Sequence, residues 1–109
     1  MADQNKLVTV ALAVYNVEPY LKEALDSIVN QTYRNLDILC IDDCSTDKTF
    51  EILKDYQRID SRIRIVRQPK NQGLAVSRNA AIELAQGEFI IMLDGDDIFS
   101  LQMVEKAYQ

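Results

Sequence analysis

The chain has no histidine, and its 109 residues include only two cysteines, two prolines and three glycines. Without histidine there can be no Ser-His-Asp triad, no Cys-His dyad and no imidazole-ligated metal within this sequence, so any metal here is held by oxygen. Cys40 and Cys44 are too few for a disulfide framework, and their spacing is neither a CxxC redox motif nor a zinc half-site. They read as buried or idle thiols. Gly73, Gly87 and Gly95 are too few to build a glycine-rich phosphate loop, and neither a GxxxxGKS/T nor a GxGxxG pattern occurs. No apolar run approaches the roughly 18 residues that a membrane span takes. The polar start from Met1 to Lys6 is unlike a secretion leader, which makes a cytoplasmic chain the expectation. Positive charge is also scarce: 12 Lys and Arg against 17 Asp and Glu give a net charge of −5, and the basic residues are dispersed. A nucleic-acid partner is therefore not expected, because phosphate backbones are bound by clustered cations.

What remains is an ordinary globular composition, 48% hydrophobic and 27% charged, in a chain long enough for one domain with one core. Apolar runs alternate with helical patterns. "LVTVALAV" (7–14) and "LDILCID" (36–42) are nearly continuous, as strands covered on both faces are. Between them, Pro19 opens a helix with Leu21, Ala24, Leu25 and Ile28 on one face. After the second strand, Ser45, Thr46 or Asp47 can cap a helix whose stripe is Phe50, Leu53, Tyr56 and Gln57. "RIRIVRQ" (62–68) alternates charge with Ile63 and Ile65, which predicts an edge strand with Arg62, Arg64 and Arg67 on its solvated face. A helix from Leu74 to Gln86 follows, with Gly87 as its left-handed cap. A fourth strand and the start of another helix, "SLQMVEKAYQ", complete the chain. Tyr20, Tyr33 and Tyr56 read as core or helix-edge aromatics, and Met92 as core.

Strand–helix alternation of this kind predicts an α/β fold, a three-layer doubly wound parallel sheet, because parallel neighbours need right-handed crossovers. In such sheets ligands bind beyond the carboxyl ends of the strands, where strand order reverses. With the order 3-2-1-4, that rim carries Tyr15 and Asn16, then Asp42 and Asp43, then the acids of "FIIMLDGDD", namely Asp94, Asp96 and Asp97. Five carboxylates at one mouth repel one another and repel a phosphorylated ligand, unless a divalent ion comes with it. Mg²⁺ or Mn²⁺ shared between carboxylates and phosphate oxygens satisfies both sides. Gly95 permits a tight turn between Asp94 and Asp96.

The stretches "VALAVYNVEPYLKEALDSIVNQTYRNLDILCIDDCSTDKT" and "NQGLAVSRNAAIELAQGEFIIMLDGDD" closely resemble the N-terminal half of the family 2 glycosyltransferases of GT-A fold. The resemblance runs from Leu7 to Asp97. It implies that residues 1–109 form one nucleotide-diphospho-sugar-binding unit, whose donor is a UDP-sugar and whose cofactor is Mn²⁺ or Mg²⁺. The donor-binding set it implies is Ala13, Tyr15, Asn16, Glu18, Asp42, Asp43, Arg78, Asp94, Gly95 and Asp96. Within this set Tyr15 packs on the base, Asp43 accepts a base N–H with Asp42 in support, and Arg78 closes over the donor. Asp96, Asp94 and Asp97 are the implied metal ligands. It further implies inverting transfer to a saccharide or lipid-linked acceptor, in polysaccharide biosynthesis at the inner face of the membrane. No catalytic residue is expected in this chain, because the general base and the acceptor-binding half fall beyond Gln109; the 109 residues alone are expected to transfer little or nothing. The family usually has Pro where Ala13 stands. If the missing half normally covers Met103, Val104 and Tyr108, these residues are expected to leave an apolar patch that would favour a homodimer. Two alternatives place the same features differently. A receiver-like signalling domain carries its acidic pair after the first strand, which here ends in Tyr15-Asn16; a non-catalytic nucleotide-binding or assembly module would keep the same fold and use its helix faces for assembly, and as a mere scaffold would show no metal-dependent heat with UDP.

Overall fold

The computed structural model describes residues 6–94, of Asp94 the backbone alone. In chain order its elements are β1 (Val8–Val14), α1 (Glu18–Val29), β2 (Leu36–Asp42), α2 (Thr49–Ile59), β3 (Ile63–Arg67), α3 (Leu74–Leu84) and β4 (Phe89–Asp94). The four strands form one parallel sheet in the order β3-β2-β1-β4. This is the common 3-2-1-4 order on which the expected rim depends. The further helix expected after Phe99, with Met103, Val104 and Tyr108, lies outside the described residues.

Because side chains alternate across a strand, each central strand feeds two cores. Val10, Leu12 and Val14 of β1 join Ile38 and Cys40 of β2 beneath α1 and α2, whose Leu21, Leu25, Ile28 and Leu53 are all fully buried. Ala11 of β1 with Leu39 and Ile41 of β2 faces the other way, onto Ala81 of α3. Three layers result, with every residue of β1 and β2 buried. β3 lies at an edge and is half-exposed, as its alternating pattern predicts. The buried face of α1 is the predicted one. That of α2 is turned from the expected stripe: Thr49, Ile52 and Leu53 are buried, whereas Gln57 is exposed.

The arginines of the third strand are not a solvated row. Arg64 grips the buried Asp37 with two hydrogen bonds, at 2.8 and 2.9 Å, and donates a third to the Leu84 carbonyl at the end of α3. Arg62 pairs with Asp60 and donates to the Val29 carbonyl at the end of α1. Arg67 faces Asp42 and stacks on Phe50. Cations placed at the carboxyl ends of helices complement the helix dipole while tying β3 to both faces of the sheet.

Gly87 also has a different reason from the one expected. α3 ends at Leu84 with Ala85 extended, and among the described glycines only Gly73 has a left-handed φ. Gly87 is small because the chain passes tightly against β1: a Cβ there would lie 2.5 Å from the Thr9 nitrogen and 2.8 Å from the Leu7 oxygen. Both obstacles are backbone, and the Glu88 N–H donates to that same Leu7 oxygen. Gly87→Ala should therefore destabilise the fold by about 1–3 kcal/mol, read as a lowered urea midpoint with an unchanged slope.

Candidate functional site

The sheet register assembles the rim. Val14, the last residue of β1, pairs with Asp42 on one side, and Ala13 pairs with Asp94 on the other. With neighbouring strands about 4.8 Å apart, the Asp42 and Asp94 backbones flank β1 at roughly 10 Å from each other. Ala13, Tyr15, Asn16, Asp42, Asp43 and the Asp94 backbone thus gather at one mouth. Tyr15 is exposed there. Arg78 lies on the exposed side of α3. The Asp94 side chain, Gly95, Asp96 and Asp97 lie outside the described residues.

The adjacent aspartates do different work. Asp42 is completely buried; one of its oxygens accepts the Ser45 N–H and hydroxyl. Among the described residues its other oxygen accepts no hydrogen bond, and it faces the Arg67 guanidinium at 3.6 Å. Arg67 is itself held by the Ser45 carbonyl and by the Phe50 ring, 4.4 Å away, so Asp42 is braced inward. Asp43 turns the other way. Its two oxygens accept the Gln72 and Gly73 N–H groups at 2.8 and 2.9 Å, clamping the segment that leads into α3. Gly73 needs its left-handed φ of 95° to present that N–H before the helix begins.

The loops after β1 and β2 are stitched together. The Asn16 side-chain oxygen accepts from the Thr46 N–H at 2.8 Å and, at 3.4 Å each, from the Asp47 N–H and the Thr46 hydroxyl. In return the Asn16 N–H donates to the Ser45 hydroxyl, Val17 to the Thr49 hydroxyl and Glu18 to the Asp47 carboxylate. The Glu18 carboxylate accepts the Lys48 N–H at 3.0 Å. The amino-terminal N–H groups of Val17 and Glu18 on α1 are thus capped from the start of α2, and the N–H of Lys48, the N-cap of α2, is capped by the first residue of α1. The expected cap of α2 from its own loop is present only in part: Asp47 accepts the Thr49 N–H, and the N-cap position itself is Lys48, which makes no side-chain cap. Burial alone raises the Asp47 carboxyl, but the hydrogen bonds from Thr49 and Glu18 outweigh it and hold it below the ordinary range. The sequence signal for this seam was a polar run after each strand. Nothing in that run announced that the caps would be exchanged.

Both cysteines are free; Cys40 is buried and its thiol is pushed up to about 12 by desolvation, as an idle thiol should be. Cys44 takes a left-handed φ of 62° in the turn beside Asp43. Among the described residues no group of three or more carboxylates or thiols stands close enough to hold a metal. Asp42 is buried against Arg67, and Asp43 already accepts two N–H groups. Asp96, Asp97 and the Asp94 side chain lie outside the described residues; as donors of oxygen alone they are of the chemical kind that suits Mg²⁺ or Mn²⁺.

Comparison with known proteins places this geometry. The family profile described as glycosyl transferase family 2 matches residues 9–109. TuaG of Bacillus subtilis, named for teichuronic acid biosynthesis, is 39% identical over 109 residues, all of this chain and 43% of the relative. The glycosyltransferase GlyG of Streptococcus pneumoniae is 38% identical over 105 residues, 96% of this chain and 35% of the relative. The chain thus spans less than half the length of these curated relatives. Among solved structures, Staphylococcus aureus TarS 1-349 in complex with UDP-GlcNAc superposes with a TM-score of 0.86 at 31% identity, over 93% of this chain and 30% of that one. The mannosyltransferase PcManGT from Pyrobaculum calidifontis, in complex with GDP-Man and Mn²⁺, gives a TM-score of 0.80 at 28% identity, over 91% of this chain and 30% of that one. The open parallel sheet with its helices is the GT-A arrangement of these neighbours.

Proposed function

The chain belongs to glycosyl transferase family 2, and we propose that it supplies the donor and metal site of an inverting, metal-dependent enzyme that transfers a sugar from a nucleoside diphosphate, UDP first among them, to an acceptor hydroxyl. One observation carries this reading: the register sets Asp42–Asp43 and Asp94 on either side of the end of β1, immediately before the exposed Tyr15. A ligand at that mouth meets an aromatic face, a carboxylate with lone pairs to spare, and acids suited to a cation. Nucleotide sugars bound to TarS and PcManGT support the same ligand class here.

In this reading the Tyr15 ring covers the base and Asp43 accepts its N–H. Asp42 holds the turn behind Asp43, and Ala13 lines the floor beside Asp94. Arg78 offers its charge to the diphosphate, a role that anions favour. Asp94 and Asp96, with Gly95 between them and Asp97 following, would hold Mn²⁺ or Mg²⁺ and meet the ribose or donor sugar. Once bound, the ion supplies Lewis-acid stabilisation of the charge that grows on the departing diphosphate.

Calorimetric titration of UDP into the chain tests the reading. Mn²⁺-dependent heat is expected, lost in Asp96→Ala and in the presence of a chelator. Binding of equal strength without metal would overturn the metal assignment, and no binding of UDP in any condition would overturn the donor site.

A further inference from the structure

We propose that Asn16 is a positioning residue: it fixes the distance between Tyr15 and Asp43, and so the width of the base slot, by bolting together the two loops that carry them. The inference rests on the donor reading above and reassigns Asn16 within it, from a group that touches the nucleotide to one that acts through its neighbours.

Tyr15 and Asp43 lie on different loops. The backbone tie between those loops at the rim is the Asp43 N–H donating to the Val14 carbonyl at 3.0 Å. Beyond that point the loops are held by side chains, and Asn16 is the hub. A left-handed φ of 51° is tolerated by asparagine better than by most residues, since its short amide bonds locally. That conformation aims the side-chain oxygen across the gap at three donors of Thr46 and Asp47. An amide oxygen has two lone pairs, so three donors leave it no acceptor capacity for a base or a ribose. The Asn16 N–H meanwhile donates to the Ser45 hydroxyl, which donates on to Asp42, the strut directly behind Asp43. One residue therefore sits between Tyr15, its covalent neighbour, and the turn that presents Asp43.

The exchanged caps make the seam two-sided. Val17 and Glu18 donate to Thr49 and Asp47, while Lys48 donates to Glu18. Such reciprocal caps resist sliding, because moving either loop orphans donors on both helices. Pre-set spacing of this kind raises affinity by lowering the cost of ordering the site on binding.

Asn16→Gly and Asn16→Asp test the idea. Glycine keeps the left-handed backbone without strain and removes the side-chain amide; aspartate returns an acceptor oxygen to the Thr46 and Asp47 N–H groups that lead into α2. Binding of UDP and of inorganic pyrophosphate, each with Mn²⁺, is measured well below the melting temperature of each variant. Asn16→Gly should weaken UDP by about tenfold, the scale of one lost hydrogen bond, with pyrophosphate unchanged within about twofold. Asn16→Asp should restore UDP to within about threefold of the parent, on the same scale. Hydrogen exchange supplies a ligand-free arm: the Thr46 and Asp47 amides should lose protection in Asn16→Gly and regain it in Asn16→Asp.

UDP affinity unchanged in Asn16→Gly, parallel weakening of both ligands, or failure of aspartate to restore UDP would each overturn the proposal. So would undiminished amide protection in the glycine variant. A parent chain that binds UDP no better than pyrophosphate marks the failure of the donor reading itself and removes the slot that Asn16 is proposed to set.

Discussion

Replacing Asp37 with alanine should cost the fold about 3 kcal/mol and lower its melting midpoint by on the order of 15 °C. Asp37 is the second residue of β2, at the end of the sheet opposite the rim, and its side chain is only 4% exposed. It accepts four hydrogen bonds: two from Arg64, one from the Thr9 hydroxyl at 2.8 Å and one from the Gln86 N–H at 3.0 Å. Thr9 in turn accepts the Gly87 N–H, and Arg64 donates to the Leu84 carbonyl. One carboxylate therefore joins β1, β2 and β3 to the end of α3. Alanine leaves a guanidinium without its counter-ion and a backbone N–H without its acceptor. Arg64 is one-third exposed and can turn toward water, which places the cost at the low end for a broken buried pair. Asp37→Asn keeps the shape and loses the charge, so it should fall between the two.

The same network sets an acid limit. Burial by itself pushes the Asp37 carboxyl up, but the hydrogen bonds from Arg64, the Gln86 N–H and Thr9, together with the Arg64 charge, hold it below the ordinary carboxylate value. The unfolded chain then binds more protons than the native one in that range, so this stabilisation is complete above about pH 4, the unfolded value, and fades as pH falls through the native one. Melting curves of the parent and Asp37→Asn should run parallel from neutral pH to about pH 4 and converge below it. Asp60, lowered mainly by its hydrogen bond from Arg62, loses stability in the same direction in both proteins and cancels in the comparison. Because Asp37 lies far from the rim, UDP binding by Asp37→Asn should match the parent at neutral pH.

The layers were legible because they follow from rules with few exceptions, and the strand order is the common 3-2-1-4 arrangement. Parallel strands need crossovers, crossovers put helices on both faces, and strands covered on both faces show nearly continuous apolar runs like those of β1 and β2. Partnerships were much less legible. Arg64 and Asp37 are 27 residues apart, and Asn16 and Thr46 are 30 apart. Their pairing depends on register and loop path, neither of which leaves a local signal. Alternating charge in β3 looked the same whether the arginines met water or carboxylates. Gly87 illustrates a further limit: a glycine is needed either for a positive φ or for close approach, and a sequence does not distinguish the two. At the rim, the residue types at the ends of β1 and β2 were readable, whereas the inward turn of Asp42 and the clamp made by Asp43 were consequences of packing.

Asp43 carries the second large effect. A carboxylate has about four lone-pair positions; the Gln72 and Gly73 N–H groups take two, leaving one on each oxygen for the base that the proposed donor site brings to it. Asp43→Ala should weaken UDP with Mn²⁺ on the order of 100-fold, because it removes a charge-assisted hydrogen bond and releases the segment that holds α3 in place. Stability should fall as well, by about 2 kcal/mol, since both N–H groups lose a charged acceptor but the exposed Gln72 can find water. Asp43→Asn separates the two roles. Its amide keeps one oxygen and puts an NH₂ group where an acceptor stood, so one of the two clamping bonds is lost and the stability cost is roughly halved. At the base the polarity reverses: a carboxylate accepts the N3–H of uracil, whereas an amide NH₂ donates to the bare N3 of cytosine. Titrations of UDP and CDP with Mn²⁺ should therefore show the preference for UDP shrinking in Asp43→Asn beyond what Asp43→Ala produces. Equal UDP affinity in the parent and Asp43→Ala would mean that the base does not reach this carboxylate, and that its work ends with the two N–H groups it already holds.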